Sequence, residues 1–133
     1  MFDAQTINLR ADGTPTPSTS FYSPWFPRGG DYGIFTVEVA KFSDSSSSNL
    51  KLSVDLAQKN SATPGSGTDM TLTGFEVAGN ATGASLRDSK DVTDGFLELV
   101  RYKFTLSCSG TPTTGTQFWA TFRMLAPVWY DKV

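Results

Sequence analysis

The 133-residue chain contains no histidine and only one cysteine, Cys108. Without histidine it cannot build a Ser-His-Asp or Cys-His catalytic set, nor the histidine-containing zinc sites common in proteins. A single cysteine also excludes a disulfide within the chain. Because Cys108 falls on the apolar side of an alternating segment, we predict a buried structural thiol rather than a reactive one.

Charge and long apolar runs are also scarce. Charged residues make up 18% of the chain, and the formal net charge is −2, which argues against a nucleic-acid partner because such proteins need a basic face. The first residues lack the basic and apolar regions of a signal peptide, and no apolar run approaches the roughly 20 residues of a membrane-spanning helix. We therefore expect a protein made and released in a cytoplasm, with no membrane partner.

Two alternating segments within residues 95–127 are the most informative part of the chain. Their apolar positions are Phe96, Val100, Tyr102, Phe104 and Leu106 in the first, and Phe118, Ala120, Phe122 and Met124 in the second. A period of two puts successive side chains on opposite faces of a strand. Since residues 110–115 between them are rich in Gly, Pro and Thr, we predict one long hairpin with a buried face.

Alternation elsewhere predicts further strands at residues 5–10, 34–42, 50–57 and 70–77, the last with a bulge at Gly74. Residues 79–94 give only a short strand around 84–86, followed by an Asp-rich turn. The chain is therefore predicted to be one all-β domain over residues 1–133, an antiparallel β-sandwich of about seven or eight strands. Jelly-roll and immunoglobulin-like topologies both remain open.

The sandwich itself is assigned to residues 31–127, with a Pro-rich N-terminal arm and first strand in 1–30 and a tail in 128–133. Six aromatic residues lie outside the clean strand patterns, namely Phe21, Tyr22, Trp25, Phe26, Trp129 and Tyr130. Proline lacks the N–H that a sheet needs, so the first four are expected in an extended arm outside the regular sheet. We predict that all six contact a partner protein. The alternatives are that they cap the ends of their own sandwich, or that they stack on sugar rings.

The glutamates are the main candidates for an enzymatic role. Glu38, Glu76 and Glu98 each lie within a predicted strand, and sugar hydrolysis needs two carboxylates across a groove. Outward-facing carboxylates are also ordinary on strand surfaces, and no nucleophile stands beside a base in the sequence. We therefore predict no catalytic residues and no enzymatic activity.

Residues 88–95 form the main candidate for a metal site. Asp88, Asp91 and Asp94 supply oxygen atoms, but their spacing of three does not match the one-three-five ligand pattern of a calcium loop. Ser89 and Lys90 are the components of a Ser/Lys dyad, but they lie in what we interpret as a solvated turn. We therefore predict no metal and no cofactor.

In its length, all-β pattern, Ser/Thr/Gly-rich loops and aromatic Pro-rich arm, the chain resembles small virion proteins of tailed bacteriophages, of the decoration or minor capsid type. The resemblance is carried by residues 33–39 (Gly-Ile-Phe-Thr-Val-Glu-Val) and 118–124 (Phe-Trp-Ala-Thr-Phe-Arg-Met). It implies a non-enzymatic role in the virion, cementing or decorating a capsid through contacts with the major capsid protein or another virion protein, as a homo-oligomer. The alternative is a carbohydrate-binding module, which would present coplanar exposed rings to a surface glycan.

Overall fold

The computed structural model describes residues 2–43, 50–62, 68–70, 76–78 and 87–133. Within these ranges the chain forms eleven β-strands and no helix, and so none that is long and apolar enough to cross a membrane. The strands are β1 (Phe2–Arg10), β2 (Ser18–Tyr22), β3 (Phe26–Pro27), β4 (Tyr32–Phe42), β5 (Leu50–Lys59), β6 (Thr68–Met70), β7 (Glu76–Ala78), β8 (Arg87–Val92), β9 (Leu99–Cys108), β10 (Gln117–Met124) and β11 (Val128–Tyr130).

The strands form two antiparallel sheets, which confirms the predicted sandwich. In sheet A, β10 and β11 lie end to end on one side of β4 and β8 lies on the other, with β1 outside β10. In sheet B, β2 and β3 lie end to end along β9, and β5 separates β9 from β6 and β7. The described strands thus occupy eight positions, in the orders β1, β10/β11, β4, β8 and β2/β3, β9, β5, β6/β7.

This order decides between the two topologies that the sequence leaves open. Most consecutive positions alternate between the sheets, and among the described strands only β5 and β6/β7 are both consecutive and paired. Immunoglobulin-like domains instead pair their first two strands within one sheet. Eight positions arranged as two Greek keys over two sheets make a jelly roll.

The predicted hairpin is wrong, because β9 and β10 lie in different sheets. The predicted burial is right: Phe104 and Phe122 are both buried, and their ring centroids are 4.7 Å apart across the core. Alternation reveals which face of a strand is buried, and both sheets bury a face against the same core. The pattern therefore cannot distinguish a hairpin from a crossover, and residues 109–116 bridge the roughly 10 Å between the sheets.

The predicted arm and tail are also part of the sheets, since β2 and β3 pair with β9 and β11 pairs with β4. Pro24 is accommodated in a bulge, where residues 23–25 lie opposite residues 101–102 of β9. The Ser23 hydroxyl accepts a 2.9 Å hydrogen bond from the Tyr102 N–H, and the Ser23 N–H donates to the Tyr102 carbonyl at 3.0 Å. An edge strand with a bulge is where a sheet tolerates proline.

Part of the predicted Asp-rich turn is strand β8, paired with β4 at the edge of sheet A. Ser89 accordingly lies on the outer face, 2.7 Å from the Thr36 hydroxyl, while Lys90 lies on the opposite face of the strand. Successive strand residues cannot form a Ser/Lys dyad. The short strand expected at 84–86 and the bulge expected at Gly74 lie outside the described residues.

The buried side chains of both sheets form one core. Cys108 belongs to it, as predicted, with 1% of its surface exposed. A register shift between β10 and β4 leaves Ala40 without a partner in the ladder, so that Phe42 points inward one position later than the alternation from Val39 requires. This bulge extends the apolar face of β4 by one large side chain.

Candidate functional site

The six aromatic residues predicted at an interface fall into two groups. Phe21, Phe26 and Trp129 pack against the chain's own core. Their nearest ring contacts are 4.9 Å from Phe21 to Phe104, 5.2 Å from Phe26 to Tyr102 and 5.4 Å from Trp129 to Phe96. These three rings therefore serve the core, as the capping alternative expects.

Tyr22, Trp25 and Tyr130 lie at the surface. Tyr130 lies on the outer face of sheet A, where its ring meets Tyr32 edge-on and its hydroxyl donates to Asp91 at 2.5 Å. This hydrogen bond raises the pKa of Tyr130 to about 12. Tyr22, 41% exposed, and Trp25 lie instead on the edge of sheet B.

Tyr22 and Trp25 form a cation–aromatic cluster with Lys59, Arg101 and Lys103. The guanidinium carbon of Arg101 lies 3.9 Å from the ring centroid of Tyr22 and 4.5 Å from that of Trp25. The ammonium groups of Lys59 and Lys103 lie 4.8 Å from Trp25 and 5.8 Å from Tyr22. Each such contact contributes roughly 0.5–1 kcal/mol at an exposed site, and together they hold both rings in a fixed orientation.

The sequence predicts the two rings of this cluster but not its cations. Arg101 and Lys103 lie on the polar side of β9, and alternation predicts only that they face outward. Lys59 comes from β5, which lies beside β9 in sheet B. The signal that was missed is the pairing of β2 with β9, because only this pairing brings Tyr22 beside Lys103.

An open cleft of about 280 Å³ lies next to the cluster, between the β2–β3 bulge and the segment that joins β10 to β11. Its lining is mainly apolar and consists of Ser23, Pro24, Trp25, Phe26, Tyr102, Leu125 and Pro127. Trp25 belongs to both features, because it lines the cleft and its ring also contacts the cations of Lys59 and Arg101. Burial of Tyr102 at the cleft raises its pKa.

Each wall of the cleft contains a proline. Pro24 lies in the bulge between β2 and β3, and Pro127 lies between β10 and β11. Neither has an N–H to donate, so neither residue can continue the hydrogen-bond ladder of its own sheet. The Ser23 hydroxyl donates to the Pro24 carbonyl at 3.0 Å and accepts from the Tyr102 N–H, so this hydroxyl is bonded within the chain.

The glutamates with described side chains are held by partners. Glu38, on the outer face of sheet A, lies 2.6 Å from Arg123 and 3.5 Å from Arg87. Glu98, immediately before β9 of sheet B, accepts hydrogen bonds from the hydroxyl and the N–H of Ser61, which lower its pKa. A carboxyl kept ionised in this way is not poised as a general acid at neutral pH. The side chain of Glu76 lies outside the described residues.

The candidate calcium ligands are not brought together. Asp88 lies opposite Val37 and Asp91 opposite Ile34, so the two carboxylates lie on different faces of β8. In the part of the chain that the structure describes, no three Asp, Glu or Cys side chains form a group able to hold a metal ion.

Comparison with known proteins adds no relative: no family model, curated protein or solved structure matches this chain.

Proposed function

We propose that this chain is a non-enzymatic structural protein of a viral particle, which cements or decorates a capsid through protein–protein contacts. The observation that carries the proposal is the jelly-roll order of the two sheets, combined with an aromatic cleft at one sheet edge. Jelly rolls form viral capsid domains and also lectin domains. A fold does not assign a function by itself, so the choice between a capsid role and a lectin role depends on the chemistry of the surface.

The chemistry of the surface supports a protein partner. Trp, Tyr and Arg are the residue types that most often dominate the binding energy of protein interfaces, usually beside a pocket that excludes water. Here Trp25, Tyr22 and Arg101 lie together beside an apolar cleft. Their mutual contacts already restrict the orientations of these side chains. Less of their conformational entropy would therefore be lost when a partner binds.

The same contacts weigh against the carbohydrate alternative. A sugar ring stacks on a free aromatic face, whereas Arg101 lies over a face of both Tyr22 and Trp25. Lys59 also lies over the Trp25 ring. These cations compete with a sugar for the faces that it would need.

The test is binding to an assembled shell. We expect portal, protease and major capsid genes beside the gene for this chain, and we expect the purified chain to co-sediment with shells made from that major capsid protein and to raise their disruption temperature. The Trp25→Ala variant should bind these shells at least tenfold more weakly, whereas Ser107→Ala, on the outer face away from the cluster, should bind like the wild type. Absence of co-sedimentation, together with a specific signal on a glycan array, would support the carbohydrate alternative instead.

A further inference from the structure

The outer side of β1 is an open edge of sheet A. Strand β1 pairs with β10 on one side, and no described strand lies along its other side. The Ala11 N–H donates to the Thr116 carbonyl at 2.8 Å, so the peptide groups of Ala11 point towards β10. Because the peptide groups of successive strand residues point to opposite sides, those of Thr6, Asn8 and Arg10 point away from β10.

The hydrogen bonds of the partner strand agree with this alternation. Trp119 of β10 lies opposite Asn8 in the ladder, but its carbonyl accepts the Ser43 N–H at 2.8 Å and its N–H donates to the Ser43 hydroxyl at 2.9 Å. Ser43 directly follows β4, so Trp119 points its peptide groups away from β1. The chain after β1 turns towards the β9–β10 connection, where the Thr16 N–H donates to the Gly110 carbonyl at 2.6 Å. Among the described residues, the outer row of peptide groups on β1 is therefore open to solvent.

The edges at β8 and β2 carry features that oppose pairing with another chain. Four of the six residues of β8 are charged, and Lys90 lies on its core side, opposite the buried Phe35. Strand β2 has five residues and lies between Pro17 and Pro24. Charges, inward-pointing lysines and prolines protect natural sheet edges from other strands. By contrast, β1 has nine residues, and residues 4–9 include neither a charge nor a proline.

The backbone of β1 complements itself in antiparallel pairing. Its register against β10 is regular from Gln5, after the bulge, to Ala11, and Asn8 is the centre of this segment. A two-fold axis at Asn8 pairs Asn8 with its own copy and Thr6 with Arg10 of the other copy. These residues all point their peptide groups to the open side, so each pair exchanges two backbone hydrogen bonds.

The side chains of β1 fit the same register. Ile7 of each copy lies opposite Leu9 of the other, and both belong to the buried face of β1, so the apolar row continues from one copy to the next. On the outer face Asn8 meets its own copy, and an amide side chain can both donate and accept a hydrogen bond. Arg123, the charged residue of the neighbouring strand β10, is already paired with Glu38 at 2.6 Å.

The charges at the edge favour antiparallel pairing with a second copy. Arg10 and Asp12 lie at one end of β1 and Asp3 lies at the other, and the Asp12 carboxylate is engaged by the N–H and the hydroxyl of Thr14. Antiparallel pairing brings the Arg10 end of each copy to the Asp3 end of the other. With Arg10 opposite Thr6, the two Arg10 residues are four strand positions, or about 13 Å, apart. Parallel pairing would place them side by side, where like charges destabilise a sheet.

We propose that two copies of this chain pair through β1 about a two-fold axis at Asn8, which joins their A sheets into one continuous antiparallel sheet. Strand β8 then lies at both outer edges of the joined sheet. Because β8 is a protected edge, pairing ends at the dimer and does not continue into a fibre. Strand β1 contributes no residue to the lining of the Trp25 cleft, so the inference goes beyond the proposed capsid contact and does not depend on it.

The first test is amide hydrogen exchange, followed by NMR at a low and a high protein concentration. In the single chain the amides of Ile7 and Leu9 are bonded to β10 and should exchange slowly, whereas those of Thr6, Asn8 and Arg10 should exchange fast. At concentrations where sedimentation shows a dimer, the last three should slow by about tenfold or more. Unchanged exchange of these three amides in a dimer, or a wild type that stays monomeric at high micromolar concentration, would overturn the proposal.

The second test removes the outward N–H at the centre of the contact. An edge strand tolerates proline where its N–H points to solvent, so Asn8→Pro should keep the ladder to β10. It should nevertheless weaken dimerisation by about tenfold or more, because both bonds of the central pair are lost. Asn8→Ala is the matched control, since it also loses the side chain but keeps the N–H, and it should dimerise within about threefold of the wild type. Equal dimerisation of the two folded variants, checked by thermal melting, would contradict the pairing.

The third test examines the register and decides the question even where Asn8→Pro does not fold. Thr6→Lys places a cation opposite Arg10 of the other copy and should weaken dimerisation by about threefold or more. Adding Arg10→Asp to the same chain makes the two charges opposite and should restore most of the affinity. Both variants lose the hydrogen bond from Thr6 to the Thr121 hydroxyl, so the difference between them reports the charges across the contact. A double variant that is no better than Thr6→Lys would overturn the register at Asn8.

A strand of another protein is the alternative occupant of this edge. A monomeric wild type that binds shells through β1, with binding lost in Asn8→Pro and kept in Asn8→Ala, would assign the edge to a capsid strand and overturn the self-pairing. A dimer that passes the exchange and register tests but binds no shell would support the self-pairing and overturn the virion role alone.

Discussion

Gly29 lies directly against the indole ring of Trp129, where a Cβ on Gly29 would come within 2.6 Å of the ring carbon Cγ and 2.8 Å of Nε1. Trp129 in turn meets Phe35 and Phe96 edge-on, with ring centroids 5.5 and 5.4 Å away, and so covers one end of the core. Gly29→Ala should therefore force the ring to move and lower the free energy of unfolding by about 1–3 kcal/mol, as overpacking does. Chemical denaturation of the wild type and the variant measures this difference in the free energy of unfolding.

The control for this prediction removes the ring. In a Trp129→Leu background the added methyl group has a smaller and more flexible neighbour, so the further loss from Gly29→Ala should fall below about 0.5 kcal/mol. Equal losses in both backgrounds would show that the substitution acts on the loop backbone rather than on Trp129.

Phe21 and Tyr22 are adjacent in β2 but should respond differently to truncation. Phe21 packs on Phe104 and Phe122, at centroid distances of 4.9 and 6.1 Å, whereas Tyr22 faces outward over Arg101. Phe21→Ala should lower the free energy of unfolding by about 2–4 kcal/mol, somewhat less than for a fully buried ring. Tyr22→Ala should cost about 1 kcal/mol or less, the size of an exposed cation–π contact. Losses of equal size would contradict the orientation of β2.

Phe104 and Thr105 test the orientation of β9 in the same way. Phe104 is fully buried, and Phe104→Ala should cost about 3–5 kcal/mol because it leaves a cavity in the core. Thr105 lies on the outer face, 2.8 Å from the Ser20 hydroxyl. Thr105→Ala should cost about 1 kcal/mol or less, the value of one exposed cross-strand hydrogen bond. Denaturant midpoints of both variants measure the difference.

The hydrogen bond from Tyr130 to Asp91 predicts a pH dependence at the alkaline end. It raises the pKa of Tyr130 from its ordinary value of 10.0 to about 12 in the folded chain. The bond therefore contributes stability that is fully present below pH 10 and is lost as the pH rises through about 12. The difference in unfolding free energy between the wild type and Tyr130→Phe should shrink over this interval.

The absorbance of the phenolate gives an independent measurement of the same bond. The difference between the titration curves of the wild type and Tyr130→Phe reports this ring alone. In an Asp91→Ala background its midpoint should move from about 12 towards 10.0. A midpoint that does not move would mean that Asp91 is not the cause of the raised pKa.

The sequence was sufficient to predict burial but not strand pairing. Phe104, Phe122 and Val100 are all buried as their alternation predicts, because a period of two depends only on the strand's own residues. The partner of each strand depends on contacts that are distant in the sequence. For this reason β9 and β10, which look like a hairpin, lie in different sheets.

Pro24 shows why the aromatic residues of segment 21–26 were predicted to lie outside the sheet. Its missing N–H is a sound reason to exclude it from a central strand, but at an edge the same residue is tolerated in a bulge. The structure uses the Ser23 hydroxyl to accept the Tyr102 N–H within that bulge. The cleft could not be predicted from the sequence, because its lining residues are distant from one another in the chain. It combines residues 23–26 with Tyr102, Leu125 and Pro127.

The pairing of β1 with β10 also limits how early sheet A can be completed while the chain is being synthesised. Phe2 pairs with Met124 and Arg10 with Gln117, so β1 meets its partner only after all the strands from β2 to β9 have been synthesised. At about 5–20 residues per second, β1 waits roughly 5–25 s for β10 to emerge. During this interval β1, which carries the buried residues Ile7 and Leu9, lacks the strand with which it pairs. Strand β1 is therefore among the last of these strands to be protected from aggregation.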